Sequence, residues 1–248
     1  MDAGGAFNFD GASATMRMTA TAPGYLTRET TITAGRSVTI DIVRDSAPFS
    51  LVFYRQMARG TMSGAPPDML RVLSVAPSFY LQTAGLNTSN VRALEAAARA
   101  LVPALTGGRF RVTTFETGPG TRPEKAGWIV VDVMDGLDGG ACGRAIVGAS
   151  AGHIWLNTQQ RCRTDGEGIP EGTFSHEIGH ALGFWHLDFP NALMYPYVGI
   201  NPQKNPTEGE RYHASVAYSR SAGNRDIDVD PDNVGPRSAL GEPPLVVD

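Results

Sequence analysis

Cysteine, histidine and long apolar runs are all scarce in this chain of 248 residues. The two cysteines, Cys142 and Cys162, exclude a multi-bridge disulfide scaffold. They read either as one oxidised pair in an exported protein or as two reduced core thiols. No apolar stretch approaches the roughly 18 residues that a bilayer crossing needs, so a membrane span is not expected. The opening residues MDAGGAFNFDG carry neither a basic nor an apolar targeting region, and they begin abruptly on strand-like material, as in a fragment of a longer precursor. With no run of Lys or Arg and a formal charge of -4, the chain has no electrostatic footprint for nucleic acid or an anionic membrane. Internal repeats and low-complexity tracts are absent as well.

What is abundant is Gly and Pro, 29 and 17 residues, which predicts long turn-rich loops around a compact centre. Residues 13–43 alternate Thr and Val at period two, with turn pairs at Pro23-Gly24 and Ala34-Gly35, the pattern of short antiparallel strands. This piece resembles part of the small β-sandwich modules, carboxypeptidase-regulatory or immunoglobulin-like, that bacteria append to exported enzymes. Asp45-Ser46-Ala47-Pro48 breaks the pattern, so the expected division is a β-rich segment over 1–47 and a larger domain over 48–248.

In the larger domain a loop rich in Gly, Pro and Met (57–69) precedes a mixed α and β region. Strands are expected at 79–82, 110–116, 128–133, 143–149 and 153–157, and a helix at 89–105, where Val91, Leu94, Ala98, Leu101 and Leu105 recur at helical spacing before Gly107-Gly108. A second helix should start near Pro170 or Thr173. A third should start at the capping box Thr207-Glu208-Gly209-Glu210 and carry His213.

Three of the five histidines fall within HEIGHALGFWH, residues 176–186. His176 and His180 are four apart, so on a 3.6-residue turn their rings leave one helix face side by side. Glu177 stands beside them, and Gly183 falls where a helix can end left-handed and return His186 toward the same point. Three neutral imidazoles around one ion with a fourth position open to water is the donor set of catalytic zinc. The pattern HExxHxxGxxH, followed by Ala192-Leu193-Met194-Tyr195-Pro196, resembles the metzincin clan of zinc metallopeptidases with matrixin-like spacing. Leu187 stands where matrixins usually carry Ser, and no PRCG-like cysteine switch precedes the domain, which points to a bacterial matrixin-like or otherwise unassigned metzincin.

The resemblance implies an α+β zincin-type fold, with a twisted five-stranded mixed sheet, an active-site helix and a C-terminal helix. It also implies a zinc endopeptidase in which His176, His180 and His186 bind one Zn2+, Glu177 activates the bound water and Met194 floors the site. An extended protein or peptide substrate would pair with the edge strand Arg144, Ala145, Ile146, Val147 and Gly148. Leu193, Pro196, Tyr197 and Val198 would line the pocket after the scissile bond, giving a preference for apolar or aromatic residues there; Tyr195, a further candidate substrate contact able to donate a hydrogen bond to the intermediate, directly follows Met194 and reads as structural. A Cys142–Cys162 bridge would clamp that strand, its neighbour and the loop to the helix, which favours an exported or cell-surface enzyme, expected to be a monomer.

Other features are read more plainly. His153 heads a strand and reads as a packed or surface residue, His213 as a helix residue behind the site, and Asp188 as a candidate to orient His186. Asp226, Asp228, Asp230 and Asp232, and separately Asp132, Asp135 and Asp138, offer oxygens for Ca2+. Lacking the Gly and bidentate Glu of an EF-hand, both groups read as solvated loops. Two rival functions stay open: an exported binding or adhesion protein with an ancillary zinc domain, and a zinc amide hydrolase acting on cell-wall material.

Overall fold

The computed structural model describes residues 15–33, 39–163, 168–196, 203–232 and 246–247. Thr-rich alternation near the start gives β1 (Thr15–Ala20) and β2 (Arg28–Thr33), an antiparallel hairpin with Thr15 opposite Thr33. Residues 39–43 do not continue it as a strand. The predicted Ala34-Gly35 turn lies outside the described residues.

Residues 51–59 carry no clear element in the sequence pattern, yet they form helix α1 (Leu51–Arg59). The signals are short but complete. Ser50 caps the helix by accepting from the Phe53 N–H, Gly60 closes it at φ 67°, and Phe53, Tyr54, Met57 and Ala58 are buried along one face.

The central sheet is built from β3 (Ser78–Gln82), β4 (Phe115–Gly118), β5 (Trp128–Met134), β6 (Gly143–Ile146) and β7 (Gly152–Asn157), in spatial order β4-β3-β5-β7-β6. Pairings among β4, β3, β5 and β7 are parallel and β6 runs antiparallel to β7, so the sheet is mixed, as expected. A two-residue strand, β8 (Val246–Val247), adds antiparallel to the outer edge of β6. Strand pleat sends Phe79, Leu81, Ile129, Val131, Ala145, Ile154 and Leu156 to one face, where they form the core with two helices. These are α2 (Thr88–Leu105), contributing Leu94, Ala98 and Leu101, and α3 (Glu171–Ala181), contributing Phe174 and Ile178. Helix α4 (Glu208–Tyr218) opens with the predicted capping box, both reciprocal bonds of which are present.

Two strands are shorter than the sequence pattern suggests. Residues 110–114 are irregular. β6 stops at Ile146 because the chain turns toward α3: the Gly148 N–H donates to the His180 carbonyl at 3.1 Å. Gly148 has φ 56°, and a Cβ there would come within 2.8 Å of the Arg71 carbonyl carbon. The two cysteines are joined as Cys142–Cys162, tying the head of β6 to the turn before α3 across a separation of 20 residues. In chain-entropy terms such a closure contributes about 3 kcal/mol.

Candidate metal centre

Helix α3 begins at Pro170, and both His176 and His180 lie on it, 4% and 0% exposed. The helix ends because Gly183 takes φ 102°; a Cβ there would lie 2.6 Å from the Arg71 carbonyl oxygen. The reversal returns His186, and one ligand atom from each of the three imidazoles lies within 4.8 Å of the others. The geometry expected from the spacing is therefore present.

The tautomers follow from the partners. His176 Nδ1 lies 2.7 Å from the Leu193 carbonyl and His180 Nδ1 2.7 Å from the Phe184 carbonyl. A carbonyl only accepts, so both Nδ1 atoms carry the proton and both Nε2 atoms present lone pairs. The two Nε2 atoms are 3.0 Å apart, and His180 Nε2 is 3.2 Å from His186 Nε2. Two lone pairs facing each other at 3.0 Å with no proton between them repel; a cation at their common focus turns that repulsion into ligation. The His176 and His180 rings also stay neutral. Burial, offset in part by the Leu193 carbonyl, pushes His176 down to about 4, and burial with the neighbouring imidazoles holds His180 well below its ordinary value. Neutral nitrogen donors, two of them oriented by backbone carbonyls, suit zinc.

The floor is built by the Met turn. Met194 is fully buried, and Gly179 leaves room for it: a Cβ on that glycine would fall 3.0 Å from Met194 Cε. The Leu187 N–H donates to the Met194 carbonyl at 2.9 Å, so the residue that departs from the matrixin pattern anchors the turn through its backbone. Glu210 does more than cap α4. Its buried carboxylate accepts from the N–H groups of Leu193 (3.1 Å), Met194 (2.9 Å) and Thr207 (2.7 Å). Leu193 in turn accepts from His176, so α4 positions the His176 ring through one backbone unit. The capping-box motif marks Glu210 in the sequence; its reach to residues 193–194 is a tertiary fact.

Glu177 is 2% exposed, next to His176 and against the backbone of β6 at Gly143. Of the proposed substrate strand, Ala145, Ile146 and Val147 are buried, so contact with a peptide would run through their backbone. Arg144 points to the opposite face, where its guanidinium reaches the Asp138 carbonyl at 3.4 Å. Leu193 is buried and Pro196 half-buried beside the Met turn, as is Tyr195, whereas Tyr197 and Val198 lie outside the described residues.

The remaining titratable residues are placed elsewhere. His153 is buried between carboxylates, Nδ1 2.9 Å from Glu124 and Nε2 3.0 Å from Asp132. His213 packs on α1, its ring stacked on Phe53 and its Nε2 accepting from the Ser50 N–H at 3.0 Å. Asp188 donates its backbone N–H to Gln56 Oε1. The solvated-loop reading of residues 226–232 is corrected for Asp228 and Asp230, which are 4% and 1% exposed, whereas Asp232 is exposed as expected. Arg220 grips Asp228 (2.7 Å) and Arg28 grips Asp230 (2.8 Å), so these oxygens are committed to guanidinium groups. That partnership joins residues far apart in sequence, which alternation of Asp cannot disclose. Asp132 likewise faces His153 rather than a solvated loop.

With this geometry in view, the comparisons with known proteins are direct. Residues 155–211, which hold all three histidines, Met194 and Glu210, match the family model described as Matrixin. Karilysin from Tannerella forsythia is 43% identical over 58 residues, which cover 23% of this chain and 12% of that protein. Metalloproteinase-II from Bacteroides fragilis matches in structure at TM-score 0.40 and 15% identity, over 62% of this chain and 58% of that one. The histidine-bearing segment resembles that of a metzincin. Within that clan it is matrixin-like.

Proposed function

We propose that this chain is a zinc-dependent endopeptidase in which His176, His180 and His186 hold the ion and Glu177 is the general base. The observation that carries the proposal is the convergence of imidazole lone pairs on one point with a buried carboxylate beside it. Zinc at that point supplies a Lewis acid for a peptide carbonyl and makes water more acidic.

Glu177 takes the proton from the attacking water and passes it to the leaving amine, a role worth about 10²–10⁴-fold in rate. The Leu193 and Phe184 carbonyls keep two of the rings in one tautomer and orientation throughout. An extended peptide would lie along the outer backbone edge of β6, with the residue after the scissile bond near Leu193 and Pro196, and a preference for apolar or aromatic side chains there. The match of residues 155–211 to a peptidase family model supports protein or peptide substrates. The Cys142–Cys162 bridge supports an exported enzyme, since such bonds persist in oxidising compartments. Among the described residues no helix is long and apolar enough to cross a membrane.

Digestion of casein by wild type and Glu177→Ala, with zinc measured in both, tests the assignment. Loss of activity by at least about 10²-fold at unchanged zinc content is expected. Equal activity in the two proteins sinks the assignment, and cleavage of peptidoglycan fragments without cleavage of casein transfers it to a cell-wall amide hydrolase.

A further inference from the structure

The head of β6 is pressed against the side chain of Glu177. We propose that Gly143 is a positioning residue for proton transfer: the lack of a side chain there is what lets Glu177 stand where it acts as a base. A Cβ on Gly143 would fall 2.7 Å from both Cγ and Cδ of Glu177, with Oε1 nearer still, against about 3.5–4.0 Å for carbon atoms in contact. Cγ sits one bond from the helix-held Cβ, so turning the carboxylate tip does not relieve the overlap.

The surroundings decide which partner yields. Gly143 pairs with Leu156 across the ladder, the preceding Cys142 is bonded to Cys162, and the Cys142 carbonyl accepts from the Asn157 N–H at 3.0 Å. At the far end, Gly148 is bonded to the His180 carbonyl. β6 is thus held from three sides, whereas the Glu177 side chain turns about single bonds. The carboxylate moves; His176 and His180, fixed by Leu193 and Phe184, stay. A displacement of about 1 Å in a catalytic group costs on the order of 10²-fold in rate.

This rests on Glu177 being the base, and a double-mutant cycle separates the two claims. Gly143→Ala should lower kcat about 100-fold with KM and zinc content unchanged, and should lower Tm. In the Glu177→Ala background the same change should cost nothing further in kcat, and the Tm loss should vanish because the methyl occupies the space the carboxylate leaves. Wild-type kcat in Gly143→Ala, or an equal Tm loss in both backgrounds, overturns the proposal. Equal activity of wild type and Glu177→Ala would instead remove the peptidase reading and leave the Tm coupling intact.

A separate observation concerns the outer edge of β6. Val246 pairs with Ile146 and Val247 with Ala145, antiparallel, so β8 runs in the direction from Ile146 toward Gly143 and Glu177. One strand edge accepts one partner. We infer that residues 246–247 are a tethered competitor for extended peptides at this edge, an inference that again assumes the peptidase reading. A chain ending at residue 245 should cleave a fluorogenic peptide with KM several-fold lower and kcat unchanged, and a synthetic peptide of residues 241–248 should raise KM again. In Glu177→Ala protein, the Ala145 amide, which faces β8, should exchange faster after truncation. Unchanged KM and exchange overturn the inference, as does a fall in both kcat and Tm, which would make β8 a structural strand only. Faster exchange in a protein that cleaves nothing would count against the peptidase reading and not the contact.

Discussion

The histidine cluster and the arginine–aspartate cluster are both largely buried and both polar, but only in the second do the acceptors meet side-chain donors. Around Asn224 the acceptors meet donors. Arg59 reaches the Asn224 side chain at 2.6 Å, Asn224 donates to Asp228 (3.0 Å) and Asp230 (2.9 Å), and Arg220 and Arg28 close the set. The imidazole cluster has the opposite balance, with Nδ1 protons of two rings spent on carbonyls and lone pairs left facing one another. A buried group of acceptors without a donor costs free energy until a cation joins it, whereas a paired group costs most when one member is taken away. The difference sorts a binding site from a structural clasp without reference to any motif.

The largest test of this contrast is His180→Ala. The variant should lose its zinc and at least about 10²-fold in activity, as for loss of the base, and its Tm should no longer fall when a chelator is added, while wild type still shows that fall; metal analysis and calorimetry read both. Arg220→Met breaks the clasp instead. It leaves Asp228 buried without its cationic partner, with only the Asn224 bond remaining, so urea unfolding should show about 3–5 kcal/mol of lost stability, with one zinc per folded molecule retained. Glu210→Gln lies between the two clusters in kind. It weakens the hold on Leu193 and Met194, and a competition titration should show zinc affinity lower by about 10–100-fold with Glu177-dependent cleavage still present.

The smallest expected effect is that of pH on the clasp. Burial pushes Asp230 up, but hydrogen bonds from Asn224, Arg28 and Thr30 and the charge of Arg28 outweigh it and hold the carboxyl below its ordinary value. A folded pKa below the unfolded one of about 3.9 gives stability that is present above that pH and is lost as pH falls through the folded value. Unfolding measured at pH 5 and again near pH 3 should show this loss in wild type and a smaller one in Asp230→Asn. A variant as acid-sensitive as wild type would remove Asp230 from the account.

Much of the centre was legible because its rules are local. Histidines one helical turn apart, a glycine at the reversal, a methionine turn and a capping box each follow from spacing within a dozen residues, and the structure brings the three rings together. Helix α1 was hidden in a short stretch beside a Gly- and Pro-rich loop, although Ser50, Gly60 and the Phe53–Met57 spacing were its signals. Asp228 and Asp230 were misread because alternating Asp looks alike whether it faces water or arginine.

By itself the amino-acid sequence determined the donor set, its helical presentation and the mixed α and β class, since these depend on periodicity and on backbone freedom at single residues. Tertiary structure alone decided that Glu210 supports the Met turn, that Gly143 presses on Glu177, and that β8 lies on β6. Those contacts join segments from 16 to about a hundred residues apart, and no local pattern records where a folded chain brings such segments together.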